Sequence, residues 1–264
     1  MLTRERHALI AERLRSAGSV VASALAAELA VSEDTIRRDL RALEARGVCE
    51  RVHGGALAPD AQPRPQPVRE RTAMAGDEKA RLAAVAARLA PADALVFLDA
   101  GSTNLAIAAA LPQDRRLTVA TNAPAIAALL YDRPGVSVIL IGGRVDPLSG
   151  ACVGADTVAA IARLRPALAY VGACALDAAH GLTAFSHEEA QVKEAIAGAA
   201  AAVAVAATPD KLGTYAPFRV APAEHIAHCV TTRRDAACDA LAEAGVSIHV
   251  AMQDANRAAG QDPS

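Results

Sequence analysis

Six short apolar runs, most of them separated by Ala-rich helical stretches, constrain this chain more than any other feature. They are ALVFL (94–98), LTVA (117–120), VSVILI (136–141), LAYVGAC (168–174), AAVAVAA (201–207) and VSIHV (246–250). Short, bounded runs of this kind read as strands. Strands alternating with helices connect by crossovers, so the pattern predicts an α/β fold with a mostly parallel sheet and helices on both faces. Hydrophobic residues fill 53% of 264 positions, enough for a sizeable core. With no Trp, three Phe and three Tyr, that core must be built of Ala, Val and Leu.

Upstream, residues 58–69 (APDAQPRPQPVR) hold four Pro and no apolar period, which suits an extended spacer. The organisation expected is a helical unit over 1–57, a connector over 58–74, the α/β unit over 75–252 and a disordered tail over 253–264. No apolar run reaches the ~20 residues of a membrane span. The charged start MLTRERHALIAERLRSAG has no signal-like apolar core. Five Cys without a C-x-x-C pair read as buried free thiols of a reducing compartment. A cytoplasmic protein is expected, without cofactor or metal.

In the first unit, helices are expected at about 3–17, 22–29 and 33–46. Ser32 is a good N-cap, with Glu33 and Asp34 suiting the positive end of the third helix. Ile36, Leu40 and Leu43 form one stripe; at ~100° per residue Arg38 points nearly opposite, Thr35 and Arg37 flank the stripe and Arg41 lies beside it. This is the pattern of a helix-turn-helix whose third helix enters a major groove, where Arg binds guanine edges and phosphates. VCERV followed by HGGA suggests a β-wing carrying Arg51 and His53. A small helical domain with a solvated Arg face is the alternative. Nine Arg stand against eight acids in residues 1–58, so net charge does not decide between them.

In the second unit, ALVFL runs into Asp99-Ala100-Gly101-Ser102-Thr103 before an Ala-rich helix. Small and hydroxyl residues at a strand-to-helix turn offer backbone N–H groups and a helix dipole to an anion. Two further strand ends carry Thr121-Asn122 and Gly142-Gly143, which suggests one shared pocket; each turn alone fits ordinary cap chemistry. Of 27 basic residues only Lys79, Lys193 and Lys211 are Lys. Lys193 and Lys211 follow binding-type loops, where a compact charge suits a phosphate. Glu189 and Lys193 also stand at i, i+4 and fit a plain helix ion pair.

The stretch VSEDTIRRDLRALEARGVCERVHGGA closely resembles the signature of the DeoR family of bacterial transcriptional regulators. It does so at Ser32, Thr35–Leu40, Leu43–Glu44, Gly47, Arg51 and His53–Ala56. DAGST, TN, IGG, GACALDAAHGLT, EAQVK and DKLG resemble motifs of that family's sensor domain. The resemblance covers about residues 3–250. It implies a winged helix-turn-helix joined to an α/β sensor domain similar to ribose-phosphate isomerase and CoA-transferase folds. It places Ser32, Thr35, Arg37, Arg38, Arg41, Arg51 and His53 on operator DNA. It places Gly101, Ser102 and Thr103 at a phosphate, with Asp99, Thr121, Asn122, Gly142, Gly143, Lys193 and Lys211 around the ligand. Ala167 and Thr208 stand where many relatives carry Asp.

The function expected is a DNA-binding repressor of a carbohydrate operon, released by a phosphorylated sugar and working as a dimer or tetramer without membrane contact. A ligand-independent regulator and a sugar-phosphate isomerase-like enzyme, with Asp99 and Lys211 as acid–base groups, are the rivals.

Overall fold

The structure is a computed structural model that describes residues 3–17, 19–52, 54–57 and 67–252. His53, the connector residues 58–66 and the tail 253–264 lie outside the described residues. The chain separates into two compact units at 64/65.

The first unit contains α1 (Thr3–Ala17), β1 (Ser19–Val21), α2 (Ala22–Leu29), α3 (Glu33–Glu44), β2 (Glu50–Val52) and β3 (Gly55–Leu57). The three expected helices and the wing are present, with α3 ending two residues early in the turn Ala45–Gly47. β1 is an addition. It pairs antiparallel with β3, so the wing is a three-stranded sheet in the order β1-β3-β2. This explains the second glycine of HGGA: a Cβ at Gly55 would lie 2.0 Å from the carbonyl oxygen of Val20. Ile10, Leu14, Leu25, Ile36, Leu40 and Leu43 fill the core. Ser32 caps α3 as expected, its Oγ accepting from the N–H of Thr35 at 3.2 Å.

Asp39 shares the buried face of α3 and is 4% exposed. It accepts from Arg6 of α1 (Nε–Oδ2 2.5 Å, Nη2–Oδ1 3.1 Å) and lies 2.9 Å from His7 Nε2. α1 is therefore clamped to α3 by a charge pair under the apolar stripe.

The second unit starts with α4 (Val68–Ala73), inside the stretch read as connector, and α5 (Gly76–Ala86). Then follow β4 (Ala94–Leu98), α6 (Ser102–Ala110), β5 (Leu117–Thr121), α7 (Pro124–Leu130), β6 (Val136–Leu140), β7 (Arg144–Val145), β8 (Cys152–Val153) and α8 (Ala155–Ile161). The rest is β9 (Leu168–Tyr170), β10 (Ala175–Asp177), β11 (Gly181–Ala184), α9 (His187–Ala199), β12 (Val203–Ala206), β13 (Phe218–Ala221), β14 (His228–Thr231), α10 (Ala236–Glu243) and β15 (Ser247–Val250). Seven strands form one sheet in the order β15-β14-β12-β9-β4-β5-β6, and every pairing in it is parallel. Each of the six apolar runs supplies one strand. The seventh, β14, reads HCVT and lacks a continuous apolar run. β10, β11 and β13 form a separate antiparallel sheet that the runs did not indicate.

The order reverses between β4 and β9. From β4 the chain steps outward through β5 to β6, and from β9 outward through β12, β14 and β15. Ligands of open α/β sheets bind at the carboxyl ends flanking such a reversal. The core beneath it includes Phe97 and Tyr170, whose hydroxyl donates to the Ala86 carbonyl at 2.8 Å. All five cysteines are free, and four of them are buried.

The Asp39 clamp gives the first unit an acid-sensitive hold. Burial pushes the Asp39 carboxyl up, but Arg6 and His7 outweigh it and hold it below the usual carboxylate range. A carboxylate held low contributes stability above its unfolded pKa and loses it as pH falls through the folded value. Asp39→Ala should therefore destabilise the first unit at neutral pH and weaken the acid dependence of its unfolding. Denaturant titrations followed by a probe in that unit, at pH 7 and pH 3, check this.

Candidate nucleic-acid interface and effector site

In the first unit the outer face of α3 carries Arg37 and Arg38, whose side chains are 61% and 74% exposed. Arg37 pairs with Glu33 at 3.1 Å and Arg38 with Asp34 at 2.8 Å, each one turn back. The two acids that look unfavourable on a DNA-facing surface thus serve the helix end and pre-align the guanidinium groups. Exposed pairs of this kind contribute little and are readily exchanged for another anion. Arg41 is exposed and has no side-chain hydrogen bond or ion pair among the described residues. Ser32 and Thr35 are engaged in the cap, their hydroxyls 2.8 Å apart. Arg51, on β2, donates its backbone N–H to Glu44 Oε1 at 3.0 Å and its Nη1 to Oε2 at 3.5 Å. It latches the wing to the end of α3 and remains partly exposed. His53 falls outside the described residues.

In the second unit the predicted residues occupy carboxyl ends of sheet strands or the helices facing them. Asp99 follows β4 and is 1% exposed. Its Oδ1 accepts from the N–H of Ala100 at 2.8 Å, and its Oδ2 accepts from the N–H of Gly172 at 2.9 Å, beyond β9. Lys193 of α9 is 2% exposed. Its Nζ donates to Asp99 Oδ2 at 2.5 Å and to the Gly172 carbonyl at 2.8 Å, with Glu189 Oε1 at 3.5 Å. Two acceptors take up two of the three N–H bonds of the ammonium, and Glu189 adds a second carboxylate within ion-pair distance. Burial opposes the charge on Lys193, but Asp99 and then Glu189 prevail and raise its pKa above the ordinary lysine value. Lys193 is therefore an internal tie across the β4–β9 reversal and presents no donor to solvent. Gly172 is small by necessity, since a Cβ there would lie 2.7 Å from the Ala100 carbonyl oxygen.

Gly101 stands at the N-cap of α6 with φ 143, and no side chain caps that helix. Ser102 is buried and Thr103 half-buried. Asn104 Nδ2 bonds the carbonyls of Asp99 and Tyr170 at 2.9 and 3.0 Å, bracing the same turn. Thr121 Oγ1 donates to the Leu98 carbonyl at 2.6 Å, tying the end of β5 to the end of β4. Asn122 is fully buried; its Nδ2 reaches the Cys152 carbonyl at 3.4 Å, and its Oδ1 has no partner. Gly142 and Gly143 lie exposed past the edge strand β6, where Gly142 accepts from Thr157 Oγ1 at 2.8 Å. Lys211, half-buried, ends a short turn after β12, and its Nζ makes no hydrogen bond or ion pair among the described residues. Thr208 heads that turn without a side-chain cap, and Ala167 is exposed.

Asp39, Gly172 and Asn104 lie within or next to the motifs read from the sequence, but no role was assigned to any of them. Asp39 had a signal, since it lies one turn from Ile36 and Leu43 on the apolar face.

A winged helical unit and an α/β unit with a turn of this kind at its sheet reversal together make a two-part regulator. Residues 6–62 match the DeoR-like helix-turn-helix domain, and residues 74–233 match the DeoR C terminal sensor domain. The chain belongs to the DeoR family of transcriptional regulators. It is 32% identical over 253 residues to the HTH-type transcriptional regulator GlpR of Haloferax volcanii, covering 94% of this chain and 98% of that one. It is 32% identical over 192 residues to the glycerol-3-phosphate regulon repressor of Escherichia coli, covering 73% and 76%. It is 29% identical over 256 residues to the transcriptional repressor GlcR of Bacillus subtilis, covering 96% and 98%. Among solved structures, ribose 5 phosphate isomerase A from Neisseria gonorrhoeae overlaps 52% of each chain, with TM-score 0.37 and 16% identity. The eIF2B delta structure from Chaetomium thermophilum overlaps 75% of this chain and 63% of its own, with TM-score 0.41 and 15% identity. These overlaps are partial, and the fold assignment rests on the sheet order itself. Among the described residues no helix is long and apolar enough to cross a membrane.

Lys193→Met should leave Asp99 buried without its cation. Removing one partner of a buried pair costs roughly 3–5 kcal/mol. The loss should appear in denaturant unfolding of the second unit, with the first unit unaffected.

Proposed function

We propose that this regulator is a repressor of a carbohydrate catabolic operon, released from its operator by a phosphorylated sugar or a related metabolite. Arg37, Arg38 and Arg41 contact bases and phosphates in the major groove, with Ser32 and Thr35 at the helix start. Arg51 and His53 serve the wing. The observation that carries the DNA reading is the division of α3: its inner face is sealed by Ile36, Asp39, Leu40 and Leu43, while its outer face offers exposed arginines held only by exposed partners.

The effector's phosphate takes the turn Gly101–Thr103, where the start of α6 has no side-chain cap. Lys211 supplies a free ammonium. Thr121, Asn122, Gly142 and Gly143 lie at the neighbouring strand ends. Asp99 and Lys193 act as positioning residues by holding the turn across the sheet reversal. The name of the E. coli glycerol-3-phosphate regulon repressor makes small polyol and sugar phosphates the first compounds to try. One reading head specifies few base pairs, so the working form is a dimer or tetramer on repeated half-sites in the bacterial cytoplasm. Release requires that the effector bind the two protomer geometries with different affinity.

Arg38→Ala should lower operator affinity about tenfold or more, the ~1–3 kcal/mol of a base contact, and leave effector binding intact. Lys211→Ala should keep operator affinity and lose the response to effector. Fluorescence anisotropy of labelled operator DNA at fixed salt checks both. Wild-type affinity in Arg38→Ala, or a normal response in Lys211→Ala, overturns the corresponding assignment.

A further inference from the structure

Lys79 is the lysine that neither the motifs nor the sheet reversal accounts for. Its ammonium donates to two backbone carbonyls, that of Arg71 and, at 2.7 Å, that of Met74. Both lie at the C-terminal end of α4, where the Arg71 carbonyl also accepts from the Met74 N–H at 3.3 Å. The corner so closed contains Ala75 at φ 52 and ψ 40, a left-handed conformation unfavourable to any residue with a Cβ. Lys79 is the clasp of a strained corner.

That corner lies at the effector edge of the sheet. α5 packs on β12 and β14, and Glu78 accepts from Thr232 Oγ1 at 2.5 Å, one residue past β14. The neighbouring strand β12 leads into the turn that bears Lys211. Burial, then the charges of Arg71 and Lys211, holds the Lys79 pKa below the ordinary lysine value, against Asp210 and Glu78, which raise it. Neither Lys79 nor Lys211 has an ion pair with a carboxylate among the described residues. Lys79 also keeps one N–H beyond its two carbonyls. Meanwhile α4 is tied at its start by the Val68 N–H to the Leu148 carbonyl at 2.8 Å, and it packs on α6, whose first residues are Ser102 and Thr103.

We propose that Lys79 and Lys211 together grip the anionic group of the effector, and that this grip transmits binding to the α4–α5 corner and so to the chain entering α4. The proposal rests on the sugar-phosphate reading above and adds to it a ligand residue and a route. Without an anion the two ammonium groups repel and the corner depends on two carbonyl bonds. An anion between them removes the repulsion and ties the corner to the end of β12.

The test uses the full chain with inorganic phosphate as probe, read by calorimetric titration and by amide hydrogen exchange over residues 68–79. Phosphate should bind wild type and slow exchange at 71–79. Lys79→Met should weaken binding at least tenfold. Lys211→Met, which keeps both carbonyl bonds of Lys79 and removes the repulsion, should slow exchange at 71–79 without phosphate and show no further slowing with it. Wild-type phosphate affinity in Lys79→Met, no binding to wild type, or binding without change at 71–79 overturns the proposal. DNA is absent from this assay, so the two readings fail separately. Operator release by a sugar phosphate that Lys79→Met leaves untouched would remove the grip and keep the gated repressor. Phosphate bound through Lys79, with an operator affinity that no sugar phosphate alters, would do the opposite.

Discussion

The second unit is organised by one charge pair. Asp99 and Lys193 stand 94 residues apart in the chain and meet at 2.5 Å beneath the carboxyl edge of the sheet. They join the two strands, β4 and β9, from which the sheet grows in opposite directions, and Gly172 donates and accepts on the same atoms. A buried charge is tolerated when paired and hydrogen-bonded, and Lys193 and Asp99 are paired with each other and each bonded to backbone groups as well. The backbone that follows, Gly101 to Thr103, is consequently held from below, and no side chain caps the helix it opens. The proposed anion site would gain from such rigidity, because an anion gains little from donors that must first be ordered.

The first unit solves the same problem with the same chemistry at smaller scale. Asp39 clamps α3 to α1 from inside, which frees the outer face of α3 from any structural duty. The arginines there are aligned by Glu33 and Asp34, so the free protein keeps them soluble and oriented. In the proposed complex a phosphate backbone, with far higher charge density, replaces the two exposed carboxylates. The balance of nine Arg and eight acids in this unit is compatible with that proposal, in which affinity comes from placement rather than net charge.

The parallel strands were legible because strands buried on both faces must be apolar throughout, and ALVFL and the VAVA of β12 satisfy that rule openly. β14 was not, since HCVT mixes polar ends with two apolar residues and takes its burial from neighbours far away in the chain. The helix-turn-helix was legible from the stripe of Ile36, Leu40 and Leu43 and from Ser32. The strand Ser19–Val21 was not, because three residues carry no period, and the need for glycine at 55 appears only when Val20 lies against it. The turn Asp99–Thr103 was legible as a strand-to-helix turn of small and hydroxyl residues. The duty of Lys193 was not: its helical neighbour Glu189 was visible, but nothing local pointed to Asp99. Turn chemistry is local, whereas ion-pair partners are fixed by topology.

In the proposed repressor one unit reads DNA and the other decides whether it does so. The measurement that decides this is the affinity of the full chain for the DNA upstream of its own gene, at one stated salt concentration, with and without a panel of polyol and sugar phosphates. A gated repressor binds tightly, and one compound in the panel weakens that binding by at least tenfold. Tight binding that no compound alters would contradict the gating and make this a ligand-independent regulator.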